Sequence, residues 1–264
     1  VTIHRLERMF PAELEARVAA KPLLLLPIGT IEWHSHHLPV GLDGLVAGGL
    51  CERLAEATDG VLAPTTWWAV GGVPFPWTVD LPPSLIEPLL AEGFAQFGAM
   101  GFRVIVAWTG HFGRDQTAAL KRAAATAMAD GTLLVLPLTP YDLVSERWTG
   151  DHAGVGEASL LWALDEELVR LDAVQADAPL PGVIGDDPRG AASRALGEEL
   201  IALMVERASA LACRLLEASP VERAAFAAAV QASADVLGAI NALRATGPAS
   251  AVPPLMTPTW LAHC

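Results

Sequence analysis

The sequence predicts an α/β fold: a single three-layer domain with a mostly parallel central sheet and helices on both faces. Three observations predict it. Short runs that are apolar apart from Arg103 and Thr132 at their starts recur at residues 23–27, 103–108 and 132–138, the pattern of strands buried on both faces. Each run is followed by a polar or glycine-bearing loop and then by apolar residues at helical spacing, which is the βαβ order. Hydrophobic residues are 52% of the chain and charged residues 18%, enough to fill one large core. At 264 residues, with about 100–200 residues per domain as the usual range, the chain lies between one and two domains. No internal repeat or linker divides it, so one domain over 1–264 is expected.

Taken in order, residues 23–27 read as a buried strand ending in Gly29-Thr30. Leu45, Val46, Leu50 and Leu54 place a helix over 43–57. Residues 61–63 form a short strand, and the Trp-, Gly- and Pro-rich stretch 65–83 a long loop. Ser84 and Glu87 have capping-box spacing, opening a helix that runs to Met100. Residues 103–108 form the second clear strand, ending in Thr109-Gly110. An alanine-rich helix over 115–129 closes at Gly131. Strand 132–138, a helix over 156–169 and a long amphipathic helix over 191–218 follow. The stretch 247–260 holds four prolines and marks 247–264 as an extended C-terminal arm.

The composition excludes several functions. Lys plus Arg is 17 against 30 Asp plus Glu, and a net charge of −13 repels phosphate backbones, so no nucleic-acid partner is expected. Cys51, Cys213 and Cys264 form no CxxC pair, which argues against a disulfide framework or a thiolate zinc site. No run reads as a membrane span, and the first residues lack signal-peptide layout, so the cytoplasm is the expected location.

Five of the seven histidines fall in three strand-end loops, where open parallel sheets bind ligands. The first loop carries Glu32, His34, His36 and His37, with Asp43 at the following helix start. Glu32 and His34, two apart in extended chain, leave the same side. Carboxylate plus imidazole is the ligand set of hydrolytic metal sites; a polar loop with backbone-capping histidines is the plain alternative. The second loop is Thr109-Gly110-His111-Phe112-Gly113-Arg114. Its glycines permit a sharp turn beside His111, and a merely hydrogen-bonded loop histidine is the alternative. The third is Asp151-His152-Ala153-Gly154-Val155-Gly156-Glu157, where Glu157 alone reads as a first-turn acid serving the helix dipole. Arg114 reads either as a binder of a substrate carboxylate or phosphate or as a partner for Asp115's surroundings.

These motifs resemble the creatininase (creatinine amidohydrolase) family. LPIGTIEWHSHHLPVGLD is similar to its Glu-x-His-Gly-Pro-His-Leu-Pro motif with a following Asp. TGHFG is similar to its Gly-His loop, DHAGVGEAS to its His-Ala-Gly…Glu stretch, and GVIGDDPRGAAS to a late Gly-Asp-Pro segment. The matches run in order over about 23–200. The resemblance implies a dinuclear metal hydrolase, commonly hexameric, with two divalent ions (zinc, manganese or iron) per chain. It implies Glu32, Asp43 and His111 on one ion, His34, Asp43 and Glu157 on the other, Asp43 bridging, and His152 as the proton shuttle, with Asp151 beside it as the second catalytic acid. Trp148 resembles a tryptophan that closes over substrate. Aromatic walls at Trp148 and Trp77 suit a planar amide. The chain departs from the pattern at Trp33, at Ser35-His36 in place of Gly-Pro, at Leu42 before the aspartate, at Gly113 where creatininase has a Glu ligand, and at Arg114.

The implied function is metal-dependent hydrolysis of a C–N bond in a small amide, cyclic amides included. The alternatives are a peptidase or deformylase of cofactor biosynthesis, and a metal-free binding or assembly protein on the same fold. Metal analysis of the purified protein separates the last from the first two.

Overall fold

The computed structural model describes residues 2–246; the expected arm at 247–264 lies outside them. In chain order the elements are β1 (His4–Arg5), α1 (Pro11–Ala20), β2 (Leu23–Ile28), α2 (Leu42–Thr58), β3 (Val61–Leu62), α3 (Pro83–Ala99), β4 (Val104–Thr109), α4 (Arg114–Ala127), β5 (Leu134–Leu138), α5 (Val155–Leu164), α6 (Arg194–Glu217) and α7 (Pro220–Thr246). The strands form one five-stranded sheet, ordered β1-β3-β2-β4-β5, and every pairing is parallel.

The strand order places the site. From β2 the chain crosses through α2 to β3 on one side; β4 then returns to the other side of β2 and leads through α4 to β5. Right-handed crossovers in opposite directions put α2 and α4 on opposite faces. In agreement, α2, α5 and α6 pack together, as do α3, α4 and α7. The order reverses between β2 and β4, so the loops after these strands open side by side at a topological switch point. Every residue of β2, β4 and β5 is buried, the physical reason these runs carry no polar alternation.

Three expectations differ in detail. The capping box at Ser84 does not form: α3 begins at Pro83 behind an extended Pro82, and no side chain caps it. A proline at the first helical position has no N–H to satisfy, so the hydroxyl is not needed there. Glu87 instead accepts from Arg122 Nε at 2.7 Å. The helix placed over 156–169 stops at Leu164, where Asp165 turns extended before a 3₁₀ turn at Glu166–Leu168. The third is α7, to which the sequence reading assigns no element. It is also the one helix among the described residues long and apolar enough to cross a membrane by length and composition, over Pro220–Arg244. Here it packs on α4 and buries Phe226, Val230 and Ala234, while Arg223 donates to the carbonyls of Gly131 and Thr132.

Candidate metal centre

The first ligands come from the loop between β2 and the second residue of α2. Two glycines make this possible. A Cβ on Gly29 would lie 2.2 Å from Gly44 Cα, and one on Gly110 would lie 1.9 Å from the Asp43 carbonyl oxygen. The start of α2 therefore rests directly on the ends of β2 and β4, and carries Asp43 into the switch point. Trp67 closes the other side, its ring against Gly41 and Gly44. Glu32, His34, Asp43, His111 and Glu157 are all buried.

Hydrogen bonds fix which ring nitrogens are bare. His34 Nδ1 lies 3.0 Å from the Glu32 carbonyl, and His111 Nε2 lies 3.1 Å from the Val70 carbonyl. A carbonyl only accepts, so both nitrogens carry hydrogen, and in the neutral rings His34 Nε2 and His111 Nδ1 are lone pairs. His111 Nδ1 faces Glu32 Oε2 at 2.7 Å and Asp43 Oδ2 at 3.7 Å. His34 Nε2 faces Asp43 Oδ1 at 3.4 Å and Glu157 Oε2 at 3.6 Å. Glu32 Oε2, His34 Nε2 and both Asp43 oxygens are buried and have no hydrogen-bond partner among the described residues. Bare acceptors do not converge in a dry pocket without a cation or added protons between them.

The proton affinities follow from that crowding. Burial pushes the His34 imidazole down, but Asp43, Glu157 and Glu32 outweigh it and raise it to about 10. Burial likewise lowers His111, and Glu32 and Asp43 reverse the direction to a net rise. Burial raises Glu32, but its contacts with His111, His152 and His34 bring it down to about 2. Glu157 is pushed up by burial and by the Asp151 and Asp43 charges, against the pull of His34. Three groups of ligand atoms cluster here: Glu32 with Asp43 and His111; His34 with Asp43 and Glu157; and Glu32 with His34 and His152. The first two share Asp43. Their donor set, nitrogen and carboxylate oxygen without sulfur, fits zinc, manganese or iron.

The third loop is held by backbone. His152 N–H donates to Ile184 O at 2.8 Å and Ile184 N–H to His152 O at 2.9 Å, so the late Gly-Asp-Pro segment supports the histidine. The ring stacks on His34 at 4.4 Å and gives its Nε2 hydrogen to the Trp33 carbonyl at 2.8 Å, leaving Nδ1 bare, 3.8 Å from Glu32 Oε1. Burial and the His34 charge lower its proton affinity. The Asp151 carboxylate accepts from the N–H groups of Gly156 and Glu157 at 2.6 and 3.2 Å. It thereby fixes the first turn of α5, which presents Glu157. Glu157 Oε2 accepts from Ala153 N–H at 2.6 Å, and Ala153 O accepts from His37 Nε2 at 3.0 Å. His37 thus ties the first loop to the third. His36 is exposed, its ring edge-on to Trp33.

A cavity of about 960 Å³ opens onto this centre, lined by Glu32, His111, His152 and Glu157 and, further along, by Arg114. Asp151 also lines it. Trp148 lies outside that lining, edge-on to Phe112 and Tyr141 and pressed against Gly156. Trp77 is 73% exposed and is also outside it. The lining adds residues that sequence reasoning missed: the 70–74 loop, whose Val73 N–H donates to Glu32 Oε1 at 2.6 Å, then Tyr141 and Arg244. The Trp-, Gly- and Pro-rich character of 65–83 marked the loop but not its contact with Glu32.

Buried imidazoles and carboxylates converging at the switch point of a parallel sheet make a metal-binding centre of the kind that metal-dependent hydrolases carry. The particular family is shown by comparison. The family model for creatininase, described as creatinine amidohydrolase, matches residues 7–212, and the chain belongs to this family. It is 29% identical over 192 residues to the creatinine amidohydrolase of Pseudomonas putida, covering 63% of this chain and 74% of that protein. It is 27% identical over 214 residues to the mycofactocin precursor peptide peptidase of Mycolicibacterium smegmatis, covering 70% and 81%. Among solved structures, a creatininase described with manganese superposes with a TM-score of 0.67 at 26% identity, covering 82% of this chain and 98% of that one.

Proposed function

We propose that this chain hydrolyses a C–N bond in a small amide, using two divalent ions held by Glu32, Asp43 and His111 and by His34, Asp43 and Glu157. The observation that carries the reading is the convergence of bare, buried acceptors on two points that share Asp43. Manganese in the solved relative supports that choice of ion, with zinc and iron fitting the same donors. When bound, such a pair supplies Lewis acidity and a water ionised near neutral pH.

The protein's own groups supply the rest. His152, anchored through Nε2–H to Trp33 O, lines the cavity with its bare Nδ1 3.8 Å from Glu32 Oε1. That nitrogen accepts a proton from the attacking water and delivers it to the nitrogen of the breaking amide bond. Water and amide leave as a carboxylic acid and an amine, so atoms and protons balance. Burial lowers the proton affinity of His152, which favours the neutral form that the first transfer needs. Asp151 acts on the reaction through Glu157, by holding the helix that carries it.

The peptidase relative supports a second reading, cleavage of a larger amide, because the cavity is near the upper end of the roughly 300–1,000 Å³ usual for small-molecule sites. We place the protein in the cytoplasm and expect a homo-oligomer, hexameric as the family resemblance implies. The test is elemental analysis with turnover on lactams, formamides and short peptides. About two ions per chain and hydrolysis of one amide class are expected. A protein that binds no divalent ion after dialysis against zinc, manganese or iron is instead the metal-free binding protein.

A further inference from the structure

The far part of the cavity has a charge pattern that amide hydrolysis alone does not require. Arg114, at the start of α4, and Arg244, in the last turns of α7, both line it. Arg244 lies beyond residues 7–212, the part of the chain that matches the family. Its helix is fixed in place: α7 packs along α4, and Asn241 Nδ2 donates to Asp115 Oδ1 at 2.7 Å, pinning the end of α7 to the first turn of α4.

Neither guanidinium has an ion-pair partner among the described residues, in a chain with 30 acidic side chains to choose from. Arg114 Nη1 is buried and has no acceptor among them. Burial and then the neighbouring Arg244 charge disfavour the charged form of Arg114, while Tyr141 and Asp115 favour it. Two like charges facing one cavity, one with a buried unused donor, are an arrangement an anion completes.

We propose that Arg114 and Arg244 clamp a carboxylate carried by the substrate, so that the protein acts on carboxylated amides. This rests on the hydrolase reading above. A singly charged carboxylate is favoured over a phosphate dianion because Asp80 and Asp115 line the same cavity and oppose a second negative charge. The planar guanidinium matches the two oxygens of a carboxylate, and a flexible substrate can span from the clamp to the metal centre. The clamp selects which amides enter; the centre breaks the bond.

The test uses the metal-loaded full chain and three matched pairs: succinamate with succinamide, glutaramate with glutaramide, and adipamate with adipamide. Each pair differs only in carboxylate against carboxamide, and the series varies the reach. Calorimetric binding is expected to favour the carboxylate by about 10-fold to 100-fold at one length, the usual worth of a charge-assisted bond. Arg114→Gln and Arg244→Gln should each erase most of that preference while metal content and melting temperature stay at wild-type values. Equal binding within all three pairs, a preference that survives both substitutions, or tighter displacement by inorganic phosphate than by any carboxylate overturns the clamp. The hydrolase reading fails separately, if metal does not bind or no amide is cleaved while the arginine-dependent preference persists.

Discussion

Replacing Asp43 with alanine tests the centre most sharply, because Asp43 belongs to both groups of ligand atoms that the proposed ions occupy. It is 1% exposed, its two oxygens lie 3.4 Å from His34 Nε2 and 3.7 Å from His111 Nδ1, and neither has a hydrogen-bond donor among the described residues. If it bridges, its loss empties both positions. An ion at about 100 times its dissociation constant stabilises the folded state by about 2.7 kcal/mol, so two stabilise it by roughly 5 kcal/mol. At about 2–4 °C per kcal/mol for a domain near this size, metal should raise the wild-type melting temperature by roughly 10–20 °C. Asp43→Ala is expected to hold less than a tenth of the wild-type metal after dialysis and to show almost no metal-dependent rise. Elemental analysis and paired melts with and without manganese measure both quantities. An Asp43→Ala protein that keeps its full metal complement, or melts with an undiminished metal-dependent shift, refutes the bridging role.

His34→Ala and His111→Ala should each remove about one ion of two, whereas His36→Ala should leave the count unchanged because its ring lies out against Trp33; loss of metal from the His36 variant would show the first loop misassigned. His152→Ala is expected to keep wild-type metal content and to lose about 10²–10⁴-fold in kcat on the true substrate, the usual contribution of a general acid–base group. Since His152 also lies within ligand range of Glu32 and His34, metal analysis of that variant decides between shuttle and ligand. Gly110→Ala would place a methyl 1.9 Å from the Asp43 carbonyl, forcing α2 off the sheet edge. Overpacking of this kind typically costs about 1–3 kcal/mol; a variant with wild-type melting temperature and metal content would show that the close approach is not required.

Residue types and their spacing fixed much of this protein without a structure. Apolar runs this short, bounded by Gly and Pro, favour strands buried on both faces, so 23–27 and 103–108 announced the parallel sheet. Polar loops directly after such strands must lie at one edge, so Glu32, His34, His111 and Glu157 were legible as a group before any distance was known. Pairing them required the strand order. Only the reversal between β2 and β4 brings the His111 loop beside Asp43, and only the Gly29–Gly44 contact lets α2 come so close. The bare nitrogens depended on backbone carbonyls of Glu32, Val70 and Trp33, and a sequence pattern does not say which way a carbonyl points. Asp151, read as a second acid beside His152, is engaged by the N–H groups of α5, because a carboxylate at a helix start satisfies donors that otherwise lack partners. Arg244 had no local signal at all: 130 positions separate it from Arg114, and they meet only because α7 packs back along α4. Local chemistry is written in the order of residues, whereas which distant residue completes a cavity is decided by the packing of whole helices.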